Sequence, residues 1–348
     1  MCKKSFQSVI FPHPPSPIPH PLLLFILALA AQNLPAQQEQ AAQKLAVRGK
    51  NFQLSLEASL GLLHGQAEEL VFWEPGSERK LSQLLWDFKP TGYAGVALRL
   101  DWQKPASRWG FFTDGSVKFG FPGKSGIMED RDWRGNDYPA WLTDYSVHDN
   151  RTESALLIDA ALGASFRLTE SFVLKAYFSY DFIRFAWTAS GGSFLYPPPP
   201  GGTGHYPIEK LGVGDVGTYR QTWHIISPAL ALYWKFLPAS DITFSLALSP
   251  LIFSNAIDNH LLRSLDIFFD LKGGLFIEPK LVFSWTPKDF LSLSLSASYR
   301  NISGIRGNAK YVQQAVGTTP ASTKEYNDGF GAGYRAFDIA ISVRFRRF

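Results

Sequence analysis

Two short polar clusters carry the side chains best suited to chemistry. One reads Met128-Glu129-Asp130-Arg131-Asp132-Trp133, and the other Asn255-Ala256-Ile257-Asp258-Asn259-His260. Each places two titratable groups two residues apart, a spacing that puts both on one face of an extended chain. Asp258 beside His260 can orient the imidazole and stabilise its protonated form. Carboxyls as close as those of Asp130 and Asp132 cannot both ionise freely, so one holds its proton more tightly and a water can sit between them. Together the four groups could activate a water without a serine or cysteine nucleophile. The spacing alone is a weak signal, because acidic loops are commonly just solvated. Ser146 and His148 have the types of a nucleophile and a base, but no oxyanion-hole motif accompanies them, and a supporting polar role is the better reading. Cys2 is the only cysteine, and no Cys or His cluster has metal-ligand spacing, so neither thiol chemistry nor a metal is expected.

The elements that must position these groups read as strands. From Phe290 to Tyr299, Leu291, Leu293, Leu295, Ala297 and Tyr299 alternate with Ser292, Ser294, Ser296 and Ser298. Successive side chains of a strand point to opposite faces, so this is one apolar and one small polar surface. Phe52 to Leu60, Ala94 to Trp102, Leu156 to Phe166, Phe172 to Phe182, Ile242 to Leu248 and Phe337 to Phe345 repeat the pattern. These runs exceed the five or six residues usual for a soluble strand, and about nine to eleven are enough to cross a bilayer. Short connections at 168–170, 238–240 and 287–289 alternate with long polar stretches at 122–150, 190–217, 255–265 and 303–333. That layout predicts an all-β, antiparallel transmembrane barrel of about ten strands, with long extracellular loops and short periplasmic turns.

Composition agrees. Aromatic residues make up 15% and charged residues only 18% of the chain, which suits a strand-built surface facing lipid. Leu22 to Ala31 has the length of a signal-peptide apolar core, and small residues follow it. Residues 1–36 are therefore expected to be a signal peptide, and 37–348 a single barrel carrying the site. Loss of Lys3 and Lys4 with the leader takes the net charge from +4 to +2, too small a bias to argue for nucleic acid.

Motifs along nearly the whole mature chain resemble those of omptins, in family order. They are Ser59-Leu60-Gly61 with Glu69-Leu70-Val71; Arg79-Lys80-Leu81-Ser82-Gln83-Leu84 with Trp86; Asp130-Arg131-Asp132-Trp133 followed by Trp141, Thr143-Asp144, Ser146 and His148; Arg184 to Phe194; and Asp258-Asn259-His260. The resemblance implies an outer-membrane endopeptidase of a Gram-negative bacterium, its site facing outward, which hydrolyses peptide bonds next to basic residues by an aspartic-type mechanism. It makes His260 the general base and Asp258 its orienting partner, while Asp130 and Asp132 hold the water and the oxyanion's proton. Glu69 matches one wall of the basic-residue pocket, and Asp144 an acid of the neighbouring subsite. Tyr180 and Arg184 match part of a lipopolysaccharide site, so that lipid is expected as a partner and activator; no other cofactor is implied, and a monomer is expected. Ordinary interfacial anchoring by an aromatic and an arginine is the alternative for those two residues.

Departures from the family pattern bear on activity. Ala256 stands where a second pocket acid is common, Leu85 replaces an acid, and Phe182 replaces an acidic member of the lipid site. These keep open a catalytically weak or inactive barrel acting as a surface adhesin or binder. Parity raises a further question. Phe244, Leu246 and Leu248 share even numbering with Asp258 and His260, so a bulge near Pro250 or irregular chain must turn the face inward.

Overall fold

The computed structural model describes residues 52–347, apart from 105–106, 136–138, 140, 196–208, 211, 213 and 318–319. The expected signal peptide over 1–36 lies outside the described residues. The strands are β1 (Phe52–Phe72), β2 (Lys80–Gln103), β3 (Trp109–Gly120), β4 (Gly123–Asp132), β5 (Asp144–Arg167), β6 (Phe172–Leu195), β7 (Glu209–Lys210) and β8 (Asp215–Leu237). They continue with β9 (Ser240–Ser249), β10 (Leu251–His260), β11 (Leu265–Lys272), β12 (Leu275–Lys288), β13 (Leu291–Gln313) and β14 (Ser322–Arg347).

All pairings are antiparallel, and the sheet closes through β1 with β14 and β6 with β8. Three consecutive pairs, β3/β4, β9/β10 and β11/β12, each run between the same two neighbours across a local break. The ring is therefore about ten strands round. Among the described residues closure pairs every long strand on both sides, leaving within the ring no free edge, which hydrocarbon would not tolerate.

The alternation works inside out. Leu162 and Phe178 are 68% and 67% exposed on the outer face, whereas Ser292 is fully buried inside. Fully burying a leucine or phenylalanine is worth about 1.5–3 kcal/mol, so a continuous outer band of such residues has lipid as its solvent. Short turns close one end, with β5 to β6, β8 to β9 and β12 to β13 each joined by two to four residues.

At the other end the sheet continues well past the apolar band. Most of the stretches expected as loops are strand: 123–132 and 144–150, 255–260, 303–313 and 322–333. The ladder persists there while the outer face becomes polar, as at Asn308 and Lys310 opposite buried Ile305 and Ala309. The hydrophobic pattern stops; the strand does not.

The lumen is filled. Arg300 bonds Asp159 and Glu278, each at 2.8 Å, and lies 3.6 Å from Asp181. Lys118 pairs with Asp338 at 2.8 Å, and Tyr93 donates its hydroxyl to the same carboxylate at 2.6 Å. Between this network and the polar end lies a stack of buried rings. Phe88 packs on Phe185 at 4.8 Å, Phe185 on Trp187 at 5.2 Å, and Tyr219 on both Trp187 and Trp86, at 5.8 and 5.2 Å.

Candidate active site

The first duo stands on β4, held on both sides. Asp130 pairs with Leu84 of β2 and Ser146 of β5, and Asp132 pairs with Ser82 and Asp144. Ser82 Oγ donates to Asp130 Oδ1 at 3.3 Å. The second duo stands on β10, where Asp258 pairs with Tyr219 of β8 and Ile267 of β11. A break at Pro250 turns it inward. Leu248 and Leu251 both face out, yet Ile252, Ser254, Ala256 and Asp258 are buried. His260 Nε2 then lies 2.7 Å from Asp258 Oδ2.

Asp130 and the second duo face one cavity of about 60 Å³, lined by Leu84, Met128 and Asp130 on one side and by Asp258, His260 and Arg263 on the other. A cavity needs only about 10–15 Å³ of such space to admit a water, so this one has room for water among polar groups. Asp132 does not line it. Its carboxylate is held by Arg134 at 2.5 Å, and the same guanidinium lies 3.4 Å from Asp144.

Burial is the main cause that pushes the Asp130 carboxyl up, to about 7, and the neighbouring Asp132 adds to it while His260 opposes. His260 is held above its ordinary value: burial favours the neutral ring, but the Asp258 carboxylate beside it outweighs that. The site thus contains a carboxyl able to carry a proton near neutral pH and an imidazole whose basicity is raised by its partner.

Glu69 turns inward from β1, opposite Leu84 and Ala332, and is almost fully buried. Its Oε2 has no hydrogen-bond partner among the described residues. Burial, then Asp258 and Asp130, raise its pKa well above the usual carboxylate range. Ala256 is buried and faces the same interior. Asp144 is engaged by Arg134 and lies outside the cavity.

Ser146 and His148 line the cavity too. His148 Nδ1 is 2.7 Å from the Gly191 carbonyl, which only accepts, so the proton sits on Nδ1 and Nε2 accepts from Ser146 Oγ at 2.8 Å. Burial lowers the His148 pKa. Gly192 makes this approach possible: at φ +101 its Cβ would lie 2.0 Å from the Val147 carbonyl oxygen. Tyr180 and Arg184 stand exposed on the outer face of β6, and Tyr180 Oη meets His224 Nδ1 of β8 at 2.8 Å.

Sequence reasoning did not single out Arg134 or Arg263 as members of the site. Arg134 is two residues beyond Asp132, the same spacing that links the carboxyl pair, and Arg263 closes the turn directly after His260.

A closed antiparallel barrel with an apolar outer band and inward-facing Asp and Asp-His duos at its polar end defines a class, the outer-membrane barrel with a polar site at its mouth. The omptin family model matches residues 50–347, and the chain belongs to that family. It is an outer-membrane protein. It is 28% identical to Protease 7 of Escherichia coli (strain K12) over 167 residues, 46% of this chain and 50% of that one. With the outer membrane protease OmpP of the same organism it shares 28% over 215 residues, 57% of this chain and 65% of that protein. The plasminogen activator of Yersinia pestis is 27% identical over 184 residues, 48% of this chain and 54% of that one. The chain thus spans about half the length of Protease 7, the first of these relatives. In fold, the crystal structure of outer membrane protease OmpT from Escherichia coli superposes with a TM-score of 0.73 at 19% identity, covering 84% of this chain and 96% of that one.

Proposed function

We propose that this barrel is an endopeptidase whose site opens on the extracellular side and hydrolyses peptide bonds with an activated water. The observation that carries the reading is the single cavity of about 60 Å³ into which Asp130 and the Asp258–His260 couple both turn. His260 takes the proton of the water as it attacks the scissile carbonyl, and Asp258 orients the ring and stabilises the imidazolium. Asp130, whose carboxyl keeps its proton up to a pH of about 7, donates to the developing oxyanion, with Asp132 as its charged neighbour. This is aspartic-type chemistry without a covalent intermediate.

The buried carboxyl of Glu69 is the recognition group for a basic residue flanking the scissile bond. With Ala256 standing where a second acid is common, recognition rests on one carboxylate rather than two, so the preference is weaker than a paired acid would give. Outside the barrel, Tyr180, Arg184 and His224 form the headgroup end of a lipopolysaccharide site, and the arginine reaches phosphate from a lipid-facing strand. We take the active species to be a monomer with that lipid bound.

The test uses purified barrel, with and without lipopolysaccharide, and peptides containing paired basic residues. Loss of a general base removes about 100-fold to 10,000-fold of rate, so His260→Ala should show no cleavage above background. Undiminished turnover in that variant removes the mechanism.

A further inference from the structure

The acidic subsite expected at Asp144 already holds a cation from this chain. Arg134 Nη2 contacts Asp132 Oδ2 at 2.5 Å, and its Nε lies 3.4 Å from Asp144 Oδ2. The two carboxylates sit directly across the β4–β5 ladder from each other, so one guanidinium spans both. Its side chain is 53% exposed at the mouth, while the Asp132 carboxylate beneath is almost buried. The backbone fixes this presentation. Arg134 N donates to Thr143 Oγ1 at 3.0 Å, Thr143 Oγ1 donates to the Asp132 carbonyl at 3.0 Å, and Thr143 N donates to that same carbonyl at 2.8 Å. Across the cavity, Arg263 adds a second positive charge to the rim.

Resting on the hydrolytic reading above, we propose that Arg134 is an internal ligand of the Asp132–Asp144 pair, so that the flank of the scissile bond reaching this pair is not selected for a basic residue. A tethered group competes at an effective concentration of about millimolar or more, and a lysine or arginine of a substrate must displace it to reach either acid. With Arg134 in place the local charge is that of one carboxylate rather than two. Neutral and acidic residues are accepted there, and basic selection is left to the Glu69 pocket on the other flank. The enzyme is then specific for a single basic residue, not a basic pair.

The experiment compares two peptide series, each carrying Lys, Ala or Glu on one flank of the scissile bond with lysine fixed on the other. kcat/KM is measured for the wild type, Arg134→Ala and Arg134→Lys. Dissociation constants for the same peptides are measured on barrels that also carry His260→Ala, where they are not cleaved. On one flank the wild type should take Ala and Glu within about twofold of Lys, Arg134→Ala should favour Lys about tenfold, and Arg134→Lys should behave as the wild type. The other flank should favour Lys in every variant. Selection of Lys on both flanks by the wild type overturns the proposal, as do Lys/Ala ratios that Arg134→Ala leaves unchanged in binding and turnover. Cleavage that survives His260→Ala counts against the hydrolytic mechanism instead, and the ratios still report on Arg134.

Discussion

Asp130 shows what its position costs the fold and gives the chemistry. A carboxyl whose pKa rises on folding binds its proton more tightly in the native state, so ionising it works against stability. From its ordinary 3.8 to about 7 in the barrel, the penalty is absent below pH 4, grows between pH 4 and 7, and is constant above. Asp130→Asn should therefore leave stability at pH 4 nearly unchanged and raise it at pH 8 by on the order of a few kcal/mol. Thermal unfolding in detergent at the two pH values reads this out, and equal effects at both would mean the carboxyl is not held protonated. His260 carries the opposite sign: its raised pKa favours the charged ring, and that contribution fades as pH rises through the folded value. The acidic limb of the kcat/KM profile should consequently sit above the ordinary imidazole value, and Asp258→Asn should move it to lower pH while lowering kcat. A limb that stays put would separate Asp258 from the titration of His260. Residue type and spacing, set beside the barrel pattern and the family motifs, offered all four side chains as candidates; Asp130, Asp258 and His260 line the cavity, and Asp132 does not. Arg134 and Arg263 were not among the candidates, because an arginine in a polar segment has no periodicity that separates a site residue from a solvated one.

At the scale of the strand, Pro250 decides whether a second duo exists at all. Proline has no N–H for the ladder, and the β8 partners shift by one across it: Ala247 sits opposite Ala229, but Leu251 opposite Ile226. Ser249 repairs the gap, since its Oγ donates to the Ile226 carbonyl and accepts from Leu251 N–H at 2.8 Å. The conflict in parity was readable in the sequence, and the proline was its visible cause. How far the strands extend was not readable. Above the lipid both faces carry polar residues, so the two-residue hydrophobic period fades while backbone pairing goes on, and β4, β10 and the upper ends of β13 and β14 resembled loops. Pro250→Val restores the missing N–H, so regular alternation can run through position 250, which should turn Asp258 and His260 outward. A barrel that still folds, judged by its heat-modifiable gel mobility, should then lose about 100-fold or more of its cleavage rate. Retained activity would mean the inward face does not depend on this break.

For the whole molecule, the question is whether the lumen is a passage or a core. About ten strands enclose a space that side chains can fill, and here they do so in two layers. The stacked rings from Tyr219 to Phe88 close the floor of the site, and below them Arg300, buried among Asp159, Asp181 and Glu278, ties three acids to one guanidinium. The rings separate the site from the polar layer below, and burial is the main cause that raises the Asp130 and Glu69 carboxyls above them. Purified barrel in planar bilayers should therefore pass no steady current, and resolved single-channel steps would contradict a filled interior. The network's place in stability is open to a separate measurement. Arg300→Met removes the guanidinium that directly contacts Asp159, Asp181 and Glu278, and removing one partner of such a buried group costs about 3–5 kcal/mol. Adding Asp159→Asn and Glu278→Gln to Arg300→Met should recover part of that loss, because the uncompensated charges go with the partner. Losses that simply add would show that the arginine and the acids act independently, and the lumen would then be held shut by the aromatic layer alone.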